Sequence, residues 1–315
     1  MSYVKRLVGI LVVPIRNKMM IDSRVEAEVA NHKGAILPDL SSPERGLFNP
    51  KKSIGHAPPM SLRILPSMFR LLRPMRNNIA NTIKSLPENP SDPKTLVEES
   101  TLKEVEEYAK SMGAGAIGYC KLDPKYIFQD KAVIHENVIV LSEEMDKDDL
   151  ETAPSPRFQK EVLRTYNSLG IITNKVTDFL RSKGFSAQAS HPLGGVALYP
   201  PLAILAGMGT VGMNGLLIGP EFGPRHRLSA IFTSIENLPF VDKNDHEWVE
   251  EYCKSCQICV KECPGEAIYG EPKVHENGSM TYIEDEKCFP PFYKQHGCSV
   301  CIKVCPFNRI GYEKV

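Results

Sequence analysis

Apolar residues recur at helical spacing between 155 and 183, at Phe158, Val162, Tyr166, Leu169, Val176 and Leu180. The stripe predicts one long amphipathic helix. Ser155 stands where an N-cap is needed, Pro156 suits the first turn, and Gly184 closes the far end. A second helix is predicted from Thr101, which has the spacing of a capping box with Glu104, and Gly113 ends it. Short β-rich runs predict strands at 114–120, 138–141, 216–218 and 228–235. Pro200-Pro201-Leu-Ala-Ile-Leu-Ala reads as a helix start. Alternating helices and strands ahead of a cysteine-rich tail predict an α/β core with an appended module.

Residues 1–95 differ, being rich in proline and polar turns, and are expected to wrap the core as an N-terminal cap. Within them Leu62, Ile64, Leu65, Phe69, Leu71 and Leu72 alternate with Arg63, Arg70, Arg73 and Arg76. A basic amphipathic helix of this kind can touch a membrane or a partner, but Pro66 and Pro74 are expected to interrupt it. The blander reading is a solvated basic face on short packed helices. The stretch from Pro87 to Pro93 reads as a linker. The core is expected over 96–245 and the cysteine-rich module over 246–315.

Composition narrows the function. Apolar content of 42% with 24% charged residues is ordinary for a globular chain. Lys+Arg and Asp+Glu balance at 38 each, so no global charge favours nucleic acid or a membrane surface. The apolar run from Leu7 to Ile15 is broken by Pro14 and too short to span a bilayer. No signal peptide or twin-arginine pair is evident, so a cytoplasmic location is expected.

Eight of the 9 cysteines form two runs, Cys253-x2-Cys256-x2-Cys259-x3-Cys263-Pro264 and Cys288-x9-Cys298-x2-Cys301-x3-Cys305-Pro306. The first is the bacterial-type motif for a [4Fe–4S] cluster, and the second keeps its ending with the leading cysteine moved upstream. Each iron of a cubane needs one thiolate, and the fourth cysteine of such a run ligates the other cluster. The expected sets are therefore Cys253, Cys256, Cys259 and Cys305 for one cluster, and Cys288, Cys298, Cys301 and Cys263 for the other. Pro264 and Pro306 are expected to stop the local helices. Disulfides suit secreted chains, and structural zinc does not call for a third cysteine two residues on or a proline after the fourth. Cys120 stands apart and reads as a small buried hydrophobe.

Eight of the 22 glycines fall between 194 and 223: Gly194, Gly195, Gly207, Gly209, Gly212, Gly215, Gly219 and Gly223. Such density means tight turns or backbone lying close to a bulky ligand. Gly207-Met-Gly-Thr-Val-Gly212 spells G-x-G-x-x-G. No strand is predicted before it, and Arg225 and Arg227 stand where a nicotinamide site needs an acid. A large flat ligand cradled by backbone is the better reading.

The segment from Leu202 to Leu228, with its Ala-Gly-x-Gly block and its Pro220-Glu221-x-Gly-x-x-x-Arg227 end, followed by the two cysteine runs, resembles the cobalamin-dependent superfamily of reductive dehalogenases and epoxyqueuosine reductases. The resemblance covers roughly residues 100–309. It implies a nitroreductase-like α/β (α+β) core that binds a corrinoid, covered by a ferredoxin-like domain with two [4Fe–4S] clusters. Electrons would pass from a donor through both clusters to cobalt, with the Cys263, Cys288, Cys298 and Cys301 cluster nearer to it. It further implies a tyrosine proton donor, placed here at Tyr166, and a cation favouring its phenolate, Arg225 or Arg227. Tyr166 as a core tyrosine, and the two arginines as partners of Glu221 or of a corrinoid side chain, are the alternatives. Gly207, Gly209, Thr210, Gly212, Gly215, Pro220 and Glu221 are the corrinoid candidates. His191 and Tyr199 are candidate linings of the same pocket, with structural roles as their blander reading.

The resemblance has departures. Arg164-Thr165-Tyr166 offers no aspartate of the epoxyqueuosine reductase kind, and no tail for tRNA is apparent. The expected activity is a cytoplasmic, non-respiratory corrinoid and iron–sulfur reductase acting on a small organic substrate. A ferredoxin- or flavodoxin-like electron donor, no nucleic acid and no membrane span go with that reading. The alternatives are an epoxyqueuosine reductase-like tRNA-modifying enzyme and an electron carrier without catalysis. The oligomeric state, a homodimer included, is left open.

Overall fold

The computed structural model describes residues 34–43, 65–275 and 278–315, with Val29 and His32. The elements of the core are α1 (Leu65–Lys84), α2 (Glu99–Ser111), β1 (Ala116–Lys121), β2 (Asn137–Glu144), α3 (Lys147–Glu151), α4 (Pro156–Ser182), β3 (Ala187–Ser190), α5 (Tyr199–Leu205), β4 (Thr210–Val211), β5 (Leu217–Ile218) and β6 (His226–Thr233). The cysteine-rich module follows with α6 (Trp248–Cys256), α7 (Ile258–Lys261), β7 (Ile268–Val274), β8 (Met280–Ile283), α8 (Asp285–Lys294), α9 (Val300–Lys303) and α10 (Pro306–Arg309).

The main sheet has the order β1-β2-β6-β3, and all of its pairings are antiparallel. Helices cover both faces, which explains why β2 is an apolar run without alternation. Ile139, Leu141 and Ile231 face Leu169, Ile172 and Val176 of α4. Val138, Val140, Ala230 and Phe232 face Leu202 and Ala203 of α5. β3 has the weak sequence Ala-Gln-Ala-Ser, yet all four residues are buried against β6. Pairing and burial override its poor β-propensity.

The long helix α4 begins and ends where the sequence says. Ser155 Oγ accepts from the Phe158 N–H at 3.1 Å, and Gly184 has φ +92°. The Gly184 and Phe185 amides donate back to the carbonyls of Arg181 and Leu180, a Schellman closure. The second helix starts earlier than expected, at Glu99 after an N-cap at Glu98, so Thr101 lies within the helix and forms no capping box. It closes at Gly113 as expected, with Ala114 N–H bonded to Ala109 O.

Two expectations for the N-terminal region are corrected. Pro74 does not interrupt α1, which runs on as one helix. Met75 and Ile79 are buried, and Asn78 Nδ2 donates to Asn167 O on α4 at 3.1 Å, so tertiary packing holds the turn that proline weakens. Pro66 is the second helical residue, where its missing N–H costs nothing. The segment read as a linker is pinned, because Asn89 Oδ1 accepts from Arg181 Nε and from Ala187 N. Of the basic stretch, Arg76 is exposed, and Leu62, Arg63 and Ile64, like the run Leu7 to Ile15, lie outside the described residues. Among the described residues no helix is long and apolar enough to cross a membrane.

Candidate redox site

The two cysteine runs share a backbone device. Gln257 follows Cys256 with φ 51°, and Ser299 follows Cys298 with φ 67°. This left-handed step at the same place in each run turns the chain so that a four-residue helix, α7 or α9, presents the next cysteine. Pro264 lies in a turn after Cys263. Pro306 does more than stop α9: it opens α10 at its first position, with Cys305 as N-cap.

All nine cysteines are free thiols. Cys253, Cys256, Cys259 and Cys305 line one recess of about 290 Å³, closed on one side by Tyr252 and Phe307. The fourth cysteine of the second run thus stands with the first three of the first run. Burial pushes the Cys259 thiol up to about 12, with Cys253 and Cys256 adding to it. Burial likewise pushes Cys305 up to about 12, against backbone N–H donors from Phe307 and Asn308. Burial first, then Cys263 and Cys298, raise Cys288 to about 11. Cys301 is raised by burial, then by Cys259, and then by Cys298, Cys288 and Cys263. Cys259 and Cys301 are therefore where the two sets meet. Among the described residues no three ligand side chains converge as for a single metal ion. A chamber ringed by four cysteines fits the larger cluster, whose irons each take one sulfur.

The two sets face different parts of the core. Cys253 and Cys305 pack with Met213 and Ile218 of the glycine-rich stretch and with Phe307 and Tyr312. Cys301 packs against the apolar cluster of Phe158, Met145, Leu150 and Ile302, on which Val162 of α4, one turn before Tyr166, also packs. Cys120 lies buried in β1, where burial pushes its thiol up to about 12, as suits an inert hydrophobe.

On the α4 face of the sheet, Arg227 lies over the Tyr166 ring at 4.6 Å from its centroid. Glu143 is directly opposite Arg227 in the β2–β6 register. Its Oε1 accepts from Arg164 Nη1 at 3.0 Å, and burial raises its carboxyl despite hydrogen bonds from Ser168 and Arg164. Glu143 Oε2, Asn167 Oδ1 and Arg227 Nε are buried without a protein partner. Such atoms are a marker for a polar ligand or ordered water. Across the sheet His226 Nε2 is also unpartnered, and burial, then Arg227 and Arg225, holds its imidazole down at about 4. Glu143 was not singled out in the sequence, because only the strand register brings it opposite Arg227; Asn167, next to Tyr166, and His226, on the other face of the sheet, belong to no motif.

Arg225 is placed elsewhere. It pairs with Glu144 and with Asn308 of α10, not with Glu221. His191 is buried, with Nδ1 against the Leu193 amide at 3.0 Å and Nε2 3.4 Å from Asn78 Nδ2. Burial holds its imidazole down at about 4, against the Leu193 hydrogen bond. Tyr199 Oη donates to His191 O at 2.7 Å, and His191, Gly194 and Gly195 line a recess of about 470 Å³ beneath α1.

The glycine-rich stretch has a tighter explanation than a ligand cradle. Gly209 has φ +143°, and a Cβ there would sit 2.2 Å from Ile218 O across the β4–β5 pair. Gly223 has φ +57°, and a Cβ would lie 2.7 Å from Phe307 O in the module. Gly212 likewise faces the Ile218 side chain, and Gly207 and Gly215 take positive φ. Thr210 Oγ1 donates to Glu250 Oε1 at 3.2 Å, while Pro220 and Glu221 form the tip of the turn bridged by Gly219 and Gly223. The close backbone approach is to the chain itself, at the seam with the module.

A mixed helix–sheet core fused to a double-cluster cysteine module defines an iron–sulfur redox protein. Residues 252–308 match the family described as "4Fe-4S double cluster binding domain". The chain is a homologue of reductive dehalogenases and epoxyqueuosine reductases. It is 34% identical over 216 residues to a tetrachloroethene reductive dehalogenase of Desulfitobacterium hafniense, covering 63% of this chain and 37% of that protein. An epoxyqueuosine reductase of Listeria monocytogenes is 35% identical over 111 residues, or 33% of this chain and 28% of that one. The fold matches a catabolic reductive dehalogenase, NpRdhA, solved with 3-bromo-4-hydroxybenzoic acid, at a TM-score of 0.61 and 23% identity over 75% of this chain and 36% of that chain. Another reductive dehalogenase structure, described in connection with B12-dependent dehalogenation, gives 0.60 at 20% identity over 76% of this chain and 39% of that chain. The chain spans little more than a third of the curated dehalogenases it matches.

Proposed function

We propose that this chain is an oxidoreductase that passes electrons through two [4Fe–4S] clusters to a corrinoid and from there to a small organic substrate. The observation that carries the reading is Arg227 over Tyr166, with Glu143 opposite Arg227 in the strand register and Glu143 Oε2 and Arg227 Nε unpartnered. That mixture of donors and acceptors suits the carboxamides that ring a corrinoid. The recess at His191 and Gly195 suits one part of such a ligand. A bound corrinoid supplies the strongly reducing centre, and the protein supplies binding, orientation and a proton.

Tyr166 Oη is the proton donor in this reading. Arg227 lies over the ring and holds it in place. Cys253, Cys256, Cys259 and Cys305 ligate one cluster, and Cys263, Cys288, Cys298 and Cys301 the other. The second cluster would lie nearer the Tyr166 site, which the packing of Cys301 on the apolar cluster that contains Phe158 of α4 supports. With both clusters held by these cysteines, electrons would enter at the first from a ferredoxin- or flavodoxin-like donor and pass to the second. Thiolate-held clusters suit a reducing cytoplasm.

Anaerobic purification with iron, sulfide and cobalt determination tests the reading, followed by titration with hydroxocobalamin. Two clusters with a corrinoid spectrum are expected. Full iron with no corrinoid uptake would leave an electron carrier. In the loaded protein Tyr166→Phe keeps both cofactors and loses most turnover of a halogenated phenol probe, whereas unchanged turnover returns Tyr166 to the core.

A further inference from the structure

We infer that Arg225 is a positioning residue that sets the reduction potential of the cluster held by Cys253, Cys256, Cys259 and Cys305. The inference rests on that proposed ligand set. Arg225 is 8% exposed and lies at the seam between core and module. Its Nη1 donates to Asn308 Oδ1 at 2.8 Å. Its Nε and Nη2 donate to Glu144 Oε1 at 3.2 and 2.5 Å. Its own carbonyl accepts from Met145 N at 3.0 Å, so the backbone is fixed as well.

Asn308 carries the effect to the sulfur. It is 1% exposed and three residues past Cys305. Its side-chain Nδ2 donates to Lys303 O at 3.2 Å, leaving Oδ1 for the guanidinium. Its backbone N–H donates to Cys305 O at 3.0 Å, so the guanidinium and the turn after Cys305 are held by the same residue. Phe307 in turn lines the cysteine recess and lies against Gly223, two residues before Arg225. Arg225 therefore does two things at once. It brings a buried positive charge towards the recess, and it locks the turn that follows Cys305, one of the proposed ligands.

The buried positive charge favours the reduced cluster, which carries one more negative charge than the oxidised one. Net charge and hydrogen bonds to sulfur are the recognised determinants of cluster potential. Glu144 is 43% exposed at its side chain, so water screens its opposing charge more than that of the buried guanidinium. Arg227, two residues on, sits over Tyr166, so one short segment touches both the cysteine recess and the proton donor.

The test is a redox titration of the full chain with both clusters loaded, followed by EPR, with iron measured for each variant. Cys256→Ser identifies the signal of the cluster in question. Arg225→Gln lowers the reduced-to-oxidised ratio of that cluster at fixed potential about tenfold, equal to about 59 mV for one electron. The other cluster does not move. Arg225→Lys restores part of the ratio, and Glu144→Gln shifts it the opposite way, a sign reversal that a merely structural role does not produce. Unchanged potentials in Arg225→Gln with full iron, or equal shifts of both clusters, overturn the inference. If Arg225→Gln loses iron, Glu144→Gln decides: an upward shift of the one cluster supports the inference, and no shift overturns it. If Cys305→Ser abolishes the signal that Cys256→Ser leaves intact, the ligand set is wrong, whatever Arg225 does.

Discussion

The core and the cysteine module are built from the same chain by different means. In the core, Leu141, Leu169, Val176, Leu180, Ile231 and Phe232 are fully buried, and the backbone is regular. In the module, α7 buries none of its residues, and β7 buries Ile268 alone. Every described non-glycine residue with positive φ lies in the module: Gln257, Glu266, His296, Cys298 and Ser299. Such residues cost roughly 1–3 kcal/mol each where the surroundings must impose them. The contrast teaches where the module's stability comes from. Apolar burial is enough to hold the core, while the module's strained turns need the cluster bonds that its sulfurs are placed to make.

The largest expected effect is therefore iron removal. Chelation of the purified protein should raise amide hydrogen exchange throughout 252–308 by orders of magnitude, because metal binding is folding energy for such a segment. The amides of β2 and β6 should stay protected. If β6 exchanges along with the module, the two regions are one cooperative unit and the contrast fails. The single tryptophan, Trp248, packs on Phe307 and Tyr312, so its fluorescence reports the module while circular dichroism reports mainly the core.

Next in size is Leu169→Ala, which empties a fully buried site between α4 and the sheet. A loss of about 2–5 kcal/mol is expected in urea unfolding followed by circular dichroism. Iron content should not change. Loss of iron would mean that the core's packing sets the geometry of the sulfurs.

How much of this was legible in the sequence follows the same division. Helix α4 was legible because its signals are local: Ser155, Pro156, Gly184 and one apolar stripe. β3 was not, since Ala187, Gln188, Ala189 and Ser190 carry no β signal and become a strand through pairing with β6. The two cysteine sets were readable as chemistry because the spacing itself encodes the ligand geometry. At the Tyr166 site the tyrosine and Arg227 were named, but Glu143 was not. Its placement depends on a register between residues more than 80 apart, Glu143 with Arg227, and no local pattern contains it. The glycines were visible as a cluster, whereas their reason was not. Gly223 answers to Phe307, which belongs to the module.

Gly223→Ala probes that seam. It forces a Cβ to 2.7 Å from Phe307 O at a left-handed φ of +57°. A loss of about 1–3 kcal/mol is expected. It should appear first as a lower denaturant midpoint for Trp248 fluorescence, with the circular dichroism midpoint moving less. Equal shifts of both midpoints would show that docking of the module is needed for the core to stand.

The smallest effect sharpens the contrast most, because it acts at the shared support. Ser155 Oγ accepts from Phe158 N at 3.1 Å and lies 2.6 Å from Thr152 Oγ1. It fixes the first turn of α4. Phe158, in that turn, is fully buried against Met145 and Leu150 of the core and Ile302 of the module. Ser155→Ala leaves one N–H of that turn without its partner and should cost about 1 kcal/mol. If the core is self-sufficient, the cost falls on the circular dichroism transition, and cluster loading is untouched. The apolar contacts of Phe158 survive a frayed cap. If iron content falls instead, the module depends on the exact start of α4, and the long helix is then the element that sets the height of Cys301 beside the Tyr166 site.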